Sequence, residues 1–383
     1  MHPMVKPALR RAWRNLQSVQ FGATSAHAVV VGPVDTTTGS LIGRMDGTRG
    51  TELLRAEARA LGLPDDRLDR LLARLAEAGL ISDASAARPR TAGASRHAEG
   101  ALDPLRADLA SLSVVEPEPD GALRRLTARR SARVQVRGAG RVGAAVAALL
   151  SASGVGRVEV LDSGSVQPWE VTPGGLPAEA VGERRAAAAG RLVGRSAPGG
   201  RAPRAVRGSP GAGGGEPALS LVVVAPRDGL AAYVPDPVPA QPWIAAGVPH
   251  LYAGVVEATG VVGPLVLPGG TACAECLQRE RTDREPVWPR MLAQWRSGAP
   301  DPVPACDTGL AATVAGLAAA HALAFLDGEL PASTGARWEV SLPLLEWRAE
   351  RFAPYSGCPC GAAGNREGER RSGLRRAHDT MAG

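Results

Sequence analysis

The sequence predicts an α/β protein, in which a Rossmann-like, mostly parallel sheet domain closed by a zinc site follows a small α+β, winged-helix-like unit. Three observations carry this expectation. A strand, a glycine loop, a helix and a second strand succeed one another and end on an acid. Residues Leu221–Val224 form an uninterrupted apolar run, and four of the five cysteines stand in two close pairs.

The first strand signal, residues 133–136, runs straight into Gly138-Ala139-Gly140-Arg141-Val142-Gly143, and an Ala- and Val-rich helix follows to Leu150. Arg157–Leu161 reads as the next strand, with Asp162 at its end. Gly138 and Gly140 allow a tight turn and close approach to a phosphate, and Gly143 lets the helix lie against the strand. The free amides of the helix start then face an anion, and Asp162 is placed to accept ribose hydroxyls. Leu221–Val224 fits a central parallel strand covered on both faces.

Cys273-Ala274-Glu275-Cys276 has the spacing that turns two thiolates toward one ion, and Cys358-Pro359-Cys360 supplies the other two. Four thiolates complete a tetrahedron and leave no position for water, so this zinc is expected to hold structure. Cys306 remains as the one candidate nucleophile. Cysteines so arranged suit a reducing compartment, and a cytoplasmic location is expected.

Toward the N-terminus, residues 28–31 form an apolar run, Asp46-Gly47 a turn, and a helix starts at Thr51. A second helix opens at Asp65 or Asp66, repeats Leu68, Leu71, Leu72 and Leu75 at helical spacing, and stops at Gly79. The domains expected are 1–83, a linker at 84–101, the sheet domain at 102–361 and a disordered tail at 362–383, with a mobile loop at 199–215. Residues 1–14 lack an apolar h-region, so no signal peptide is expected. Residues 310–326 are apolar but Ala-rich and interrupted by Thr313 and His321; a core helix, not a membrane span, is expected. The net charge of +6 is carried by arginines interleaved with acids, Lys6 being the only lysine, and aromatics make up 3%. A nucleic-acid platform is not expected, DNA binding resting on charge and winged-helix analogy alone.

Gly247-Val248-Pro249-His250-Leu251-Tyr252-Ala253-Gly254, then residues 263–267 and Thr271-Ala272-Cys273, resemble the region before the first zinc pair of the ThiF, MoeB and HesA adenylyltransferase family. Cys306-Asp307-Thr308-Gly309-Leu310 and Ser356-Gly357-Cys358-Pro359-Cys360-Gly361 extend the resemblance. It implies ATP with magnesium on the glycine loop and attack on the α-phosphate by the C-terminal carboxylate of a peptide or small carrier protein. It also implies a homodimer, a sulfur-handling role at Cys306, Arg185 in place of a phosphate-binding lysine, and Asp228 as magnesium ligand if its loop shifts by one residue. The N-terminal pieces, ending in Leu75-Ala76-Glu77-Ala78-Gly79-Leu80-Ile81, resemble the PqqD-like winged helix that binds leader peptides.

The chain departs from the family pattern at Gly164, Glu170 and Pro173, where Asp, Asn and Arg are usual, and at Arg185. Two functions follow. One is an ATP-dependent activator of a peptide or carrier C-terminus. The other is an inactive relative that captures the leader of a thiazole- or oxazole-forming precursor for a separate enzyme.

Overall fold

The computed structural model describes residues 1–64, 66–85, 103–199, 218–298 and 303–364. Asp65, most of the expected linker and loop, and all but the first residues of the expected tail lie outside them. Ala362, expected in that tail, is fully buried. The chain forms two compact units, Met1–Ala128 and Arg129–Gly383.

The first unit contains β1 (Pro3–Val5), β2 (Arg11–Asn15), β3 (Ser18–Phe21) and β4 (Val29–Val31). Helices α1 (Thr36–Gly43), α2 (Thr51–Ala60) and α3 (Arg67–Glu77) follow, then β5 (Ile81–Asp83), α4 (Arg106–Val115) and α5 (Gly121–Ser131), which runs into the second unit. Strands β2, β3 and β4 form an antiparallel sheet in that order, and β1 pairs with β5. The leucine repeat of α3 buries Leu68, Leu71 and Leu75 on one face. Gly79, at φ +67°, ends that helix in the left-handed region and sends Leu80 and Ile81 into the core. Asp66 does not cap α3 with its side chain; it pairs instead with Arg70 at 2.8 Å.

Helix α1 was not anticipated, although its signal is present: the Asp35 carboxylate accepts from Thr38 N at 2.6 Å. Strand β2 gave no signal, because all five of its residues are exposed and no alternation marks it. Lys6 is buried and donates from Nζ to the Glu116 carbonyl at 2.5 Å, and burial lowers its pKa.

The second unit is built on a seven-stranded sheet ordered β12-β11-β10-β9-β8-β6-β7. Its elements are β6 (Arg133–Arg137), α6 (Arg141–Ala152), β7 (Arg157–Leu161), α7 (Arg185–Ser196), β8 (Leu221–Val224), α8 (Leu230–Tyr233), α9 (Gln241–Ala245), β9 (His250–Val256) and β10 (Thr259–Val266). Helices α10 (Ala274–Arg284), α11 (Trp288–Ser297) and α12 (Thr308–Leu326) and strands β11 (Ala336–Ser341) and β12 (Trp347–Arg351) complete it. Strands β7, β6, β8 and β9 run parallel, and β10, β11 and β12 extend them antiparallel. As its apolar run requires, β8 lies between two parallel neighbours, with Leu221, Val222 and Val223 fully buried.

Helix α12 is long and apolar enough to cross a membrane by length and composition. Here its inner face, including Leu310, Val314, Ala318 and Ala322, joins the core formed by α6 and the sheet. Its end is anchored by Asp327, which accepts from Arg129 Nε at 2.8 Å and Nη2 at 2.6 Å.

His250 of β9 is fully buried between the rings of Trp243 and Tyr252, and its Nε2 has no partner among the described residues. Burial pulls its pKa down to about 4. An unfolded histidine titrates near ~6.5, so between these values the unfolded chain binds the extra proton and folding weakens as pH falls. Urea midpoints taken from pH 7 to pH 4 are expected to reveal a loss of about 3 kcal/mol that His250→Phe abolishes.

Candidate functional site

The glycine loop joins β6 to α6 at the edge of the parallel strands. Gly138 stands at φ +105°, and a Cβ there would lie 2.0 Å from the Ala225 carbonyl oxygen. A Cβ on Gly143 would lie 2.1 Å from the Gly138 carbonyl oxygen, so close helix packing needs glycine at that position too. Gly140 precedes α6 as its N-cap residue, with no side chain to close the helix start. The backbone has the form that receives a phosphate.

The side chains around it are already engaged. Asp162 is nearly buried; its Oδ2 accepts from Ala139 N at 2.8 Å, and its Oδ1 accepts from Gly164 N at 2.9 Å and Arg185 Nε at 2.8 Å. Arg185 Nη1 donates to the Ser165 carbonyl at 2.6 Å and to Glu170 at 3.2 Å. Glu170, 2% exposed, also accepts from Gln167 N at 2.9 Å, and Arg227 Nη1 lies 3.7 Å from its Oε1. Arg141 donates from Nε to the Trp169 carbonyl at 2.6 Å and from Nη1 to the Cys306 carbonyl at 2.8 Å. Asp228 is exposed, and its Oδ1 accepts from Leu230 N at 3.0 Å at the start of α8.

A cavity of about 250 Å³ lies over the loop, lined by Arg141, Trp169, Glu170, Arg227 and Cys306 among others. The thiol of Cys306 is half-buried; burial pushes its pKa up to about 11, against the opposing charge of Arg141. A thiol so shifted is neutral near pH 7.

Two features of this site were missed from sequence. Arg227 lies over Gly140, its Cγ 3.3 Å from where a Cβ would be, and its signal was a base standing in Ala225-Pro226-Arg227-Asp228 where an acid was sought. Gly164 is also not a simple loss of an acid: a Cβ there would sit 2.0 Å from Arg185 Nη2. Any larger side chain at 164 displaces the guanidinium that holds Asp162.

The four cysteines expected to bind metal do converge. Cys273 is the N-cap residue of α10 and Cys276 lies in its first turn, while Gly357 at φ +78° turns the chain after β12 to bring in Cys358 and Cys360. The Sγ atoms of Cys273 lie 3.8 Å from Cys276 and 3.7 Å from Cys358, those of Cys276 and Cys360 are 3.5 Å apart, and all four fall within 4.8 Å. Zinc–sulfur bonds of ~2.3 Å in a tetrahedron give sulfur–sulfur edges of about 3.8 Å, so the quartet fits zinc. Cys273 donates to Cys276, which pushes the Cys273 thiol up and favours the thiolate of Cys276. Bound zinc would take all four as thiolates and tie α10 to the segment after β12, a structural role with no coordination position left.

No curated protein sequence matches the chain. Among solved structures, E. coli MccB with ATP is similar at a TM-score of 0.66 and 16% identity, over 94% of this chain and 99% of that one. E. coli MccB with AMPCPP and the selenomethionine form of MccA gives the same values. The heterocyclase TruD is similar at a TM-score of 0.58 and 16% identity, over 99% of this chain but 45% of its own. These likenesses concern the fold. Residues 118–360 match the family model described as the ThiF family, well over half of the chain, and the chain therefore belongs to the ThiF family.

Proposed function

We propose that this protein binds the leader of a precursor peptide for a separate modifying enzyme and uses its ThiF-type domain as a zinc-stabilised scaffold, without adenylating. The observation that carries this reading is that both oxygens of Asp162 are already engaged within the chain. Ala139 N, Gly164 N and Arg185 Nε already occupy the two oxygens that would receive ribose hydroxyls. With Arg185 committed, Asp228 turned onto α8 and the only lysine buried in the other unit, no side chain among the described residues is poised for a triphosphate and magnesium. The residues present do not fit ATP.

A peptide partner has two supports. The similar MccB has been solved with the peptide MccA, and the similar TruD, of which the match covers 45%, is a heterocyclase. The first unit also offers open strand edges at β2 and β4, where an extended peptide adds by backbone hydrogen bonds, with Val30 exposed on β4 and α3 alongside through Arg74 Nη2 to the Gly32 carbonyl at 2.5 Å.

The second reading, ATP-dependent activation, keeps Gly138, Gly140, Arg141, Gly143, Asp162, Arg185 and Asp228 as nucleotide ligands and Cys306 as nucleophile. The open start of α6 favours it. Calorimetric titration of the full chain decides between them. Heat with a Cys- or Ser-rich precursor peptide and none with millimolar ATP and magnesium is expected, whereas nucleotide binding or pyrophosphate exchange returns the protein to the activating enzymes.

A further inference from the structure

We infer that Glu170 fills the anion position over the glycine loop from within the chain, and that this carboxylate is the residue deciding against nucleotide. The inference deepens the peptide-binding reading and rests on it in taking the natural protein to be blind to ATP.

A helix start after a glycine loop is an anion site, and here Arg227 packs over Gly140 while Arg185 reaches in from α7. The group these arginines hold is the Glu170 carboxylate, 3.2 Å from Arg185 and 3.7 Å from Arg227, and 2% exposed. Such a buried carboxylate between two guanidinium groups is a side-chain equivalent of a bound phosphate. A diphosphate or triphosphate would have to take the same donors while lying against the negative charge that already holds them. The loss of the usual lysine does not produce this block, because two arginines supply more cationic charge than one lysine. Gly164 completes the arrangement by leaving the space that the Arg185 guanidinium fills.

Removing the charge should therefore open the site. Glu170→Asn gives a shorter neutral side chain that leaves room for an anion, and Glu170→Gln keeps the length. The probes are inorganic pyrophosphate and ADP, each with magnesium, read by calorimetry on the full chain, with circular dichroism to establish folding. Natural protein should give no binding, Glu170→Asn a gain of at least ~10-fold in affinity, the scale of one charge-assisted hydrogen bond, and Glu170→Asn with Arg227→Ala no gain.

Folded Glu170→Asn and Glu170→Gln that both stay blank would overturn the inference while leaving the peptide-binding reading intact. ATP binding by the natural protein would sink both. Should neither variant fold, the thermal midpoint of the natural protein with pyrophosphate decides: an unchanged midpoint is expected, and a rise shows a site that Glu170 does not close.

Discussion

Replacing Arg185 by alanine is expected to destabilise the protein by about 3–5 kcal/mol, the cost of leaving a buried charge without its partner. Asp162 loses its cation and Glu170 the nearer of its two, since Arg185 bonds Asp162 at 2.8 Å and Glu170 at 3.2 Å, and both acids are nearly buried. Backbone amides still serve Asp162 and Gln167 N still serves Glu170, which keeps the loss from being larger. Denaturant midpoints of Arg185→Ala and Arg185→Lys provide the check. Lysine should recover only part of the loss, because a point charge cannot reach Asp162, Ser165 and Glu170 as the planar fork does. An Arg185 kept for an incoming phosphate would behave differently: its removal would abolish nucleotide binding and change stability by well under about 1 kcal/mol.

Stripping the metal is expected to have the largest effect. Structural zinc in small peptides contributes about 10–16 kcal/mol of apparent binding energy, though this sheet domain has a large core of its own and should not unfold outright. The loss should fall on the segment after β12 and on α10, whose packing around Phe352, Tyr252 and Val266 is organised by the four sulfurs. Elemental analysis should find one zinc per chain in the natural protein and none in Cys276→Ser. Limited proteolysis with a chelator should then cut near residues 352–362 before any other part of the second unit. Equal resistance with and without metal would remove zinc from the account. Acidification should act as chelation does, because protons compete with zinc for thiolates.

What could be read from the sequence follows from how locally each feature is encoded. The cysteine quartet was readable because residue type and spacing carry the coordination chemistry, even across the 84 residues from Cys276 to Cys360. Helix α3 announced itself through its leucine period, β8 through four apolar residues, and the glycine loop through sterics that the structure repeats at Gly138 and Gly143. Strand β2 could not be seen, since a wholly exposed strand has no pattern to display.

The ion-pair lattice was legible only as separate anomalies. Gly164, Glu170 and Arg185 each looked like an eroded family position, and read singly they are losses. In space they are one arrangement: glycine leaves room for the guanidinium, the guanidinium neutralises Asp162 and Glu170, and Arg227 closes the other side. No period or spacing encodes contacts that arise only when the loop after β7 folds back on α7. Reading Glu170 only as a departure from the usual Asn missed the partners that make its burial possible.

The claim at the centre of this account, a glycine loop closed by the protein's own side chains, is tested most directly by amide hydrogen exchange of the full chain with and without saturating ATP and magnesium. The Ala139 and Gly164 amides are held by Asp162 and Gly138 N by the Leu161 carbonyl, so slow exchange of these three amides is predicted in the nucleotide-free protein, unchanged by ATP. Fast exchange that slows on adding nucleotide would contradict it, and would mean that the loop is an open site awaiting its ligand.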